Sequence, residues 1–228
     1  MALSSLITAI FFDLDGTLID TAPDLAWAIN QLRAEYGLPP LALEIIRPTI
    51  SHGTPGMLQA AFNLDRNHPD FQLRRKRLLE IYQGHLVHAT GLFPGMAETL
   101  NHIENAGLRW GVVTNKPSFL TDPIVAQLGL APRAVAVVSG DTTPFAKPHP
   151  APLIHACALA GVSAAQCVYV GDAERDIVAG RAAGLKTLVA GFGYLSPADH
   201  PENWGADAIV ATPSAILDWV LGKHPPQV

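Results

Sequence analysis

An α/β fold is predicted for this 228-residue chain, a doubly wound parallel sheet interrupted near its start by an all-helical insertion. Three observations predict it. Residues 7–12 form an apolar run, interrupted only by Thr8 and ending at Asp13, the pattern of a strand buried on both faces. From Gly91 onward, apolar strand-like runs alternate with helical stretches, which implies a parallel sheet covered on both sides. Between these regions about seventy residues carry only helical signals. The economical arrangement is a core of residues 1–17 plus 91–228 and a helical cap of residues 18–90. A cap that leaves beside Asp15 stands over the carboxyl end of the first strand and is expected to act as a lid.

Each element has a local reason. Thr21, Pro23 and Asp24 supply a capping hydroxyl, a proline in the first turn and an early acid, so a helix is expected from there to about residue 36. Gly37 and the Pro39–Pro40 pair end it. Helices follow near 41–47, near 54–62 and from about 70 to 88. In the last of these Phe71, Leu78, Tyr82 and Leu86 share one face, while Arg74, Arg75, Lys76 and Arg77 read as its solvated surface. In the second region strands are expected at 109–114, 135–139, 167–171, 186–190 and 208–210. Helices are expected near 96–106, 119–128, 151–160, 175–183 and 213–221.

Hydrophobic residues make up 49% of the chain and charged residues 15%, ample for a full core. A net charge of -5 leaves no electrostatic footprint for nucleic acid or anionic lipid. No run reaches the roughly 18 apolar residues of a membrane span. Cys157 and Cys167 fall in apolar stretches and read as buried reduced thiols. Together with the lack of a basic and apolar leader, they make the cytoplasm the expected location.

Asp13 and Asp15 stand one residue apart at a strand end, and side chains in a strand alternate with period two, so both carboxylates point the same way. Three further polar groups end later strands: Thr114-Asn115-Lys116, then Lys147-Pro148, then Gly171-Asp172 with Asp176 one helical turn on. In a parallel sheet, successive strand ends converge on one crevice. Phosphoryl transfer suits such a set, because a phosphate dianion repels an attacking carboxylate and the site must hold positive charge near both. Asp13 and Asp172, with a main-chain carbonyl near Asp15, offer the hard oxygens that Mg²⁺ prefers. Lys147 is a second cation, Thr114 a hydroxyl donor, and Asn115 an amide or main-chain donor. Asp13 is the expected nucleophile. Asp15 is the expected acid for the leaving alkoxide and then base for water. Asp176 is expected to ligate the metal through water or to hold Lys147.

The set Asp13-x-Asp15-Gly16-Thr17, Thr114-Asn115, Lys147-Pro148 and Gly171-Asp172-x-x-x-Asp176 resembles the four signature motifs of the haloacid dehalogenase superfamily, across almost the whole chain. Within it the chain is similar to the phosphoglycolate phosphatase group. Residues 111–117, Gly193-Tyr194 and residues 203–207 look most like bacterial phosphatases of N-acetylmuramic acid 6-phosphate in cell-wall recycling. The resemblance implies a Rossmann-like core, a helical cap after the first motif, Mg²⁺ dependence and an aspartyl-phosphate intermediate. An acid at Asp15 argues for oxygen leaving groups over halide, and Thr17 leans toward hydrolase over phosphomutase. A phosphomutase and a catalytically silent binding module are the alternatives.

The substrate is expected to be a small phosphorylated metabolite, N-acetylmuramic acid 6-phosphate or 2-phosphoglycolate, handled by a monomer or homodimer. Its selection falls to the cap. Arg47, Ser51, His52 and Gly53 lie in a stretch broken by Pro48 and Gly53 that is expected to project as a loop toward the core. Arg47 is a candidate for a substrate carboxylate, and Arg47 and His52 read equally as surface loop residues. Lys116 either touches phosphate or caps a helix. His85, His88, His102 and His155 lack metal-ligand spacing, and the four tryptophans read as packing residues.

Overall fold

The computed structural model describes residues 7–222. Its centre is β1 (Ala9–Phe12), with all four side chains buried. After a tight turn the chain leaves the core through β2 (Ile19–Asp20). It then forms α1 (Ala22–Glu35), α2 (Leu43–Ile46), a 3₁₀ helix (Arg47–His52), α3 (Gly53–Phe62) and α4 (Phe71–Gln83), and returns through β3 (Gly91–Leu92). β2 and β3 pair antiparallel, Ile19 opposite Leu92, and close the base of this helical cap. The core continues with α5 (Met96–Asn105), β4 (Arg109–Val113), α6 (Ser118–Gln127), β5 (Val137–Val138) and α7 (Ala151–Ala160). It ends with β6 (Cys167–Gly171), α8 (Glu174–Ala182), β7 (Lys186–Ala190), β8 (Ala208–Val210) and α9 (Pro213–Val220).

The parallel sheet runs in the order β5-β4-β1-β6-β7-β8. Phe12 of β1 faces Val112 of β4 on one side and Val170 of β6 on the other. The chain fills the β4–β5 side first and crosses back for β6 to β8, so the order reverses beside β1. Ligands bind at such a reversal, outside the carboxyl ends of the strands. The alternation along β1 divides the core. Ile10 and Phe12 pack with Trp110, Val168 and Leu188 in a cluster that runs on into the cap through Leu25, Leu32 and Leu78. Phe11 packs on the opposite face with Val113, Leu153 and Tyr169.

Several elements depart from expectation, each for a tertiary reason. Thr21 makes no side-chain capping bond to α1; its hydroxyl donates to Asp15 instead. The helix expected to about residue 88 ends at Gln83, because the N–H groups of His88, Ala89 and Thr90 turn inward to the buried Asp24 carboxylate. The projecting loop expected around Pro48 is a 3₁₀ helix with that proline in its first turn, and Gly53 (φ 67°) redirects the chain into α3. Trp110 and Trp204 are buried as packing residues, whereas Trp27 is 40% exposed and stacks on His85 at 3.7 Å. Cys157 and Cys167 are buried free thiols with Sγ atoms 3.9 Å apart. Among the described residues no helix is long and apolar enough to cross a membrane.

Candidate active site

Asp13 extends the β1 ladder by one bond, its N–H donating to Val170 O at 2.8 Å, so its buried carboxylate stands at the end of the central strand. Lys147 reaches it from the loop after β5. Its Nζ lies 3.0 Å from Asp13 Oδ1 and 2.7 Å from Asp176 Oδ1, and it donates to Val113 O (3.0 Å) and the Tyr169 hydroxyl (2.6 Å). Asn115 holds that loop. Its side-chain amide donates to Lys147 O and its Oδ1 accepts from the Lys147 N–H, each at 2.9 Å. These two bonds fix the Asn115 side chain against Lys147, and its main-chain N–H is a further donor it can offer a ligand. Thr114, also buried, accepts the Lys116 N–H at 3.1 Å and keeps its own hydroxyl proton to donate.

Asp15 is held from two sides. Its Oδ1 accepts from the Thr21 hydroxyl at 2.6 Å and from Lys116 Nζ at 2.9 Å. Lys116 Nζ also donates to the Tyr82 hydroxyl of α4 at 3.1 Å, so this lysine ties core to cap instead of capping a helix. Burial opposes the charge on Lys116, but Asp15 and Tyr82 outweigh it and raise its pKa. Burial pushes the Tyr82 phenol up to about 12. The turn between the two acids and β2 needs Gly16: its φ is +83°, and a Cβ there would stand 2.1 Å from Asp172 Oδ2.

Asp172 follows β6 and is buried. Its Oδ2 accepts from Ser51 Oγ of the cap at 2.7 Å and from the Tyr194 N–H at 3.0 Å, while its Oδ1 is buried with no partner. Burial, then the charges of Asp13 and Asp176, push its pKa up to about 7. One carboxylate oxygen from each of Asp13, Asp172 and Asp176 lies within 4.8 Å of the others. An orphaned buried carboxylate oxygen among hard oxygen donors is what a Mg²⁺-type cation requires, and the residues fit one. Asp176 also accepts the Ala173 N–H at 3.1 Å, capping α8.

A cavity of about 450 Å³ separates this floor from the cap. Asp13, Asp15, Thr114, Asn115, Lys116 and Lys147 line it from the core, and Ser51, His52 and Gly53 from the cap. Arg47 is not in its lining. That guanidinium pairs with Asp20 at 2.6 Å and lies over the Tyr194 ring. The cationic run of α4 is divided. Lys76 and Arg77 pair with glutamates at the surface and Arg74 stacks on Tyr36, but Arg75 lines the cavity together with Arg66. Sequence reasoning missed both, although Arg75, Leu79 and Tyr82 share the helical spacing that a cavity wall needs. It also passed over Arg175, which lies inside the Asp172 to Asp176 motif. Its guanidinium approaches Asp13 Oδ2 at 4.0 Å and donates to Ser51 O, a second bridge from core to cap.

Residues 10–190 match the family model of the haloacid dehalogenase-like hydrolases. An N-acetylmuramic acid 6-phosphate phosphatase of Pseudomonas aeruginosa is 42% identical over 212 residues, covering 93% of this chain and 94% of its own. A phosphoglycolate phosphatase of Xanthomonas campestris pv. campestris is 44% identical over 220 residues, covering 95% and 98%. Among solved structures, one described as a predicted phosphoglycolate phosphatase from Haemophilus somnus superposes with a TM-score of 0.81 at 28% identity, covering 94% of this chain and 98% of that one.

Proposed function

The chain belongs to the haloacid dehalogenase-like hydrolase family, and on that premise we propose that it is a Mg²⁺-dependent phosphatase that hydrolyses a small phosphate monoester through a phosphorylated Asp13. One observation carries the reading. The Asp13 carboxylate at the cavity floor is flanked by Lys147 and Arg175, with Asp15 two residues on facing the same space. Asp13, Asp172 and Asp176 would hold Mg²⁺, which when bound supplies positive charge to the transferring phosphoryl group.

In the first step an Asp13 carboxylate oxygen attacks phosphorus and the ester P–O bond breaks. Asp15 delivers a proton to the departing alkoxide. In the second, Asp15 takes a proton from water, the water oxygen attacks phosphorus, and inorganic phosphate leaves with Asp13 restored. Lys147 keeps Asp13 in place and offsets charge on the phosphoryl oxygens, which the Thr114 hydroxyl and Asn115 N–H also meet. Asp176 holds Lys147 in turn. Candidate substrates are those named for the relatives, N-acetylmuramic acid 6-phosphate and 2-phosphoglycolate, met in a reducing cytoplasm that suits two free thiols. Residues 18–90 are read as a lid over the site, latched by the contacts of Ser51 and Lys116.

Hydrolysis of p-nitrophenyl phosphate with Mg²⁺ and with EDTA tests the reading. Turnover should require the metal, and Asp13→Asn should lose at least roughly 10³-fold in kcat while remaining folded. Turnover that survives either EDTA or Asp13→Asn would sink the mechanism.

A further inference from the structure

We infer that Arg66 and Arg75 form a second anion-recognition point, and that the substrate is a sugar-sized phosphomonoester carrying a carboxylate at its far end. This rests on the phosphatase reading of the same cavity. Among the described residues every other lysine and arginine has a protein acceptor, a carboxylate or a main-chain carbonyl. Arg66 and Arg75 have none, and both line the cavity that holds Asp13. Two guanidiniums without partners, beside a site read as binding one anion, are chemically suited to another, and a carboxylate matches the guanidinium fork.

The spacing along α4 sets the size of the ligand. Arg75, Leu79 and Tyr82 all line the cavity, and the Tyr82 hydroxyl lies 3.1 Å from Lys116 Nζ, itself 2.9 Å from Asp15. Seven residues of helix at about 1.5 Å per residue put Arg75 roughly 10 Å along the axis from that phosphate end. Long helical side chains lean toward the helix N-terminus at both positions, so the offset of the two Cα atoms carries over to the Arg75 guanidinium and the Tyr82 hydroxyl. Leu79, with Met57 of α3, provides apolar wall in between. In 2-phosphoglycolate four bonds of about 1.5 Å join phosphorus to a carboxylate oxygen, a reach of roughly 4–5 Å. A hexose ring between the two anions spans the distance better, and its faces suit an apolar wall.

A matched pair of substrates tests this. N-acetylmuramic acid 6-phosphate differs from N-acetylglucosamine 6-phosphate by the lactyl ether that bears the carboxylate. The wild type should prefer the first. Arg66→Gln and Arg75→Gln should each lower its kcat/KM by about 10- to 100-fold, the scale of one charge-assisted contact. Hydrolysis of N-acetylglucosamine 6-phosphate and p-nitrophenyl phosphate should stay within about twofold. Both side chains are exposed and make no hydrogen bond or ion pair, so the fold should survive either change. Equal losses on the two sugar phosphates, no loss on either, or a wild type indifferent to the carboxylate would overturn the inference and leave the phosphatase reading standing. A wild type that turns over no monoester would remove both.

Discussion

Replacing Asp172 by Asn should stabilise the metal-free protein at alkaline pH and remove the stabilisation that Mg²⁺ provides. Burial, with Asp13 and Asp176 nearby, raises the Asp172 pKa from 3.8 to about 7, and the side chain is wholly enclosed. At about 1.36 kcal/mol per pKa unit this amounts to ~4 kcal/mol of disfavoured charge. The sign follows from proton linkage. The folded state binds this proton more tightly than the unfolded chain, so stability is highest below pH 3.8, declines as pH rises, and reaches its full loss above about pH 7. Asn is neutral and nearly isosteric, and its Oδ1 can still accept from Ser51 and from the Tyr194 N–H. In EDTA at about pH 8 Asp172→Asn should be more stable than wild type by about 2–4 kcal/mol, and at about pH 4 by less than about 1 kcal/mol. Urea unfolding followed by circular dichroism at the two pH values measures both differences. Millimolar Mg²⁺ at about pH 8 should then stabilise the wild type far more than it stabilises Asp172→Asn. An Asp172→Asn protein no more stable than wild type in alkaline EDTA, or equal stabilisation of both by Mg²⁺, would refute the argument that Asp172 is a charge kept in place for a cation.

Two further changes probe the surroundings of the site. Gly16→Ala forces a β-carbon into left-handed backbone and against Asp172 Oδ2, so it should cost at least about 1–2 kcal/mol in thermal or urea unfolding and weaken Mg²⁺ activation of turnover. An unchanged metal dependence would show that Asp172 does not need that close approach. Burial works to raise the Asp24 pKa, yet hydrogen bonds from Thr90, Ala89 and His88 outweigh it and hold it below the usual carboxylate range. Asp24→Asn should cost about 2–4 kcal/mol at neutral pH, since one amide oxygen cannot serve three N–H groups and a hydroxyl. The Asp24 contribution is present above pH 3.8 and lost as pH falls through the lower folded pKa, so the gap between wild type and Asp24→Asn in acid titrations of unfolding should narrow on the acid side. A gap that does not change with pH would assign the cost to shape alone.

What the chain declares on its own is periodic or local. The continuous apolar run of β1, the strands at 167–171, 186–190 and 208–210, and the helix at 151–160 emerge where residue order alone places them. Buried parallel strands leave an unbroken apolar signal, and crossover helices leave their own period. The four polar motifs were legible because each terminates such a strand, and strand ends of one parallel sheet must share a crevice. Contacts far apart in sequence decided the rest. Thr21 looked like a helix cap until Asp15 offered its hydroxyl a stronger acceptor. The last turn of the helix expected to residue 88 gave way to Asp24, 64 residues earlier in the chain at its first contact. Arg47 and Arg75 carry the same charge on cap helices, and nothing local separates them. Asp20 at the base of the cap claims one, while the cavity wall leaves the other without a partner. Local energetics of a few tenths of a kcal/mol set where helices begin and end, and a buried carboxylate in search of donors overrides them by several-fold. For that reason the acidic floor of the cavity can be read from residue order, whereas the choice of which cations face the cavity belongs to the folded cap.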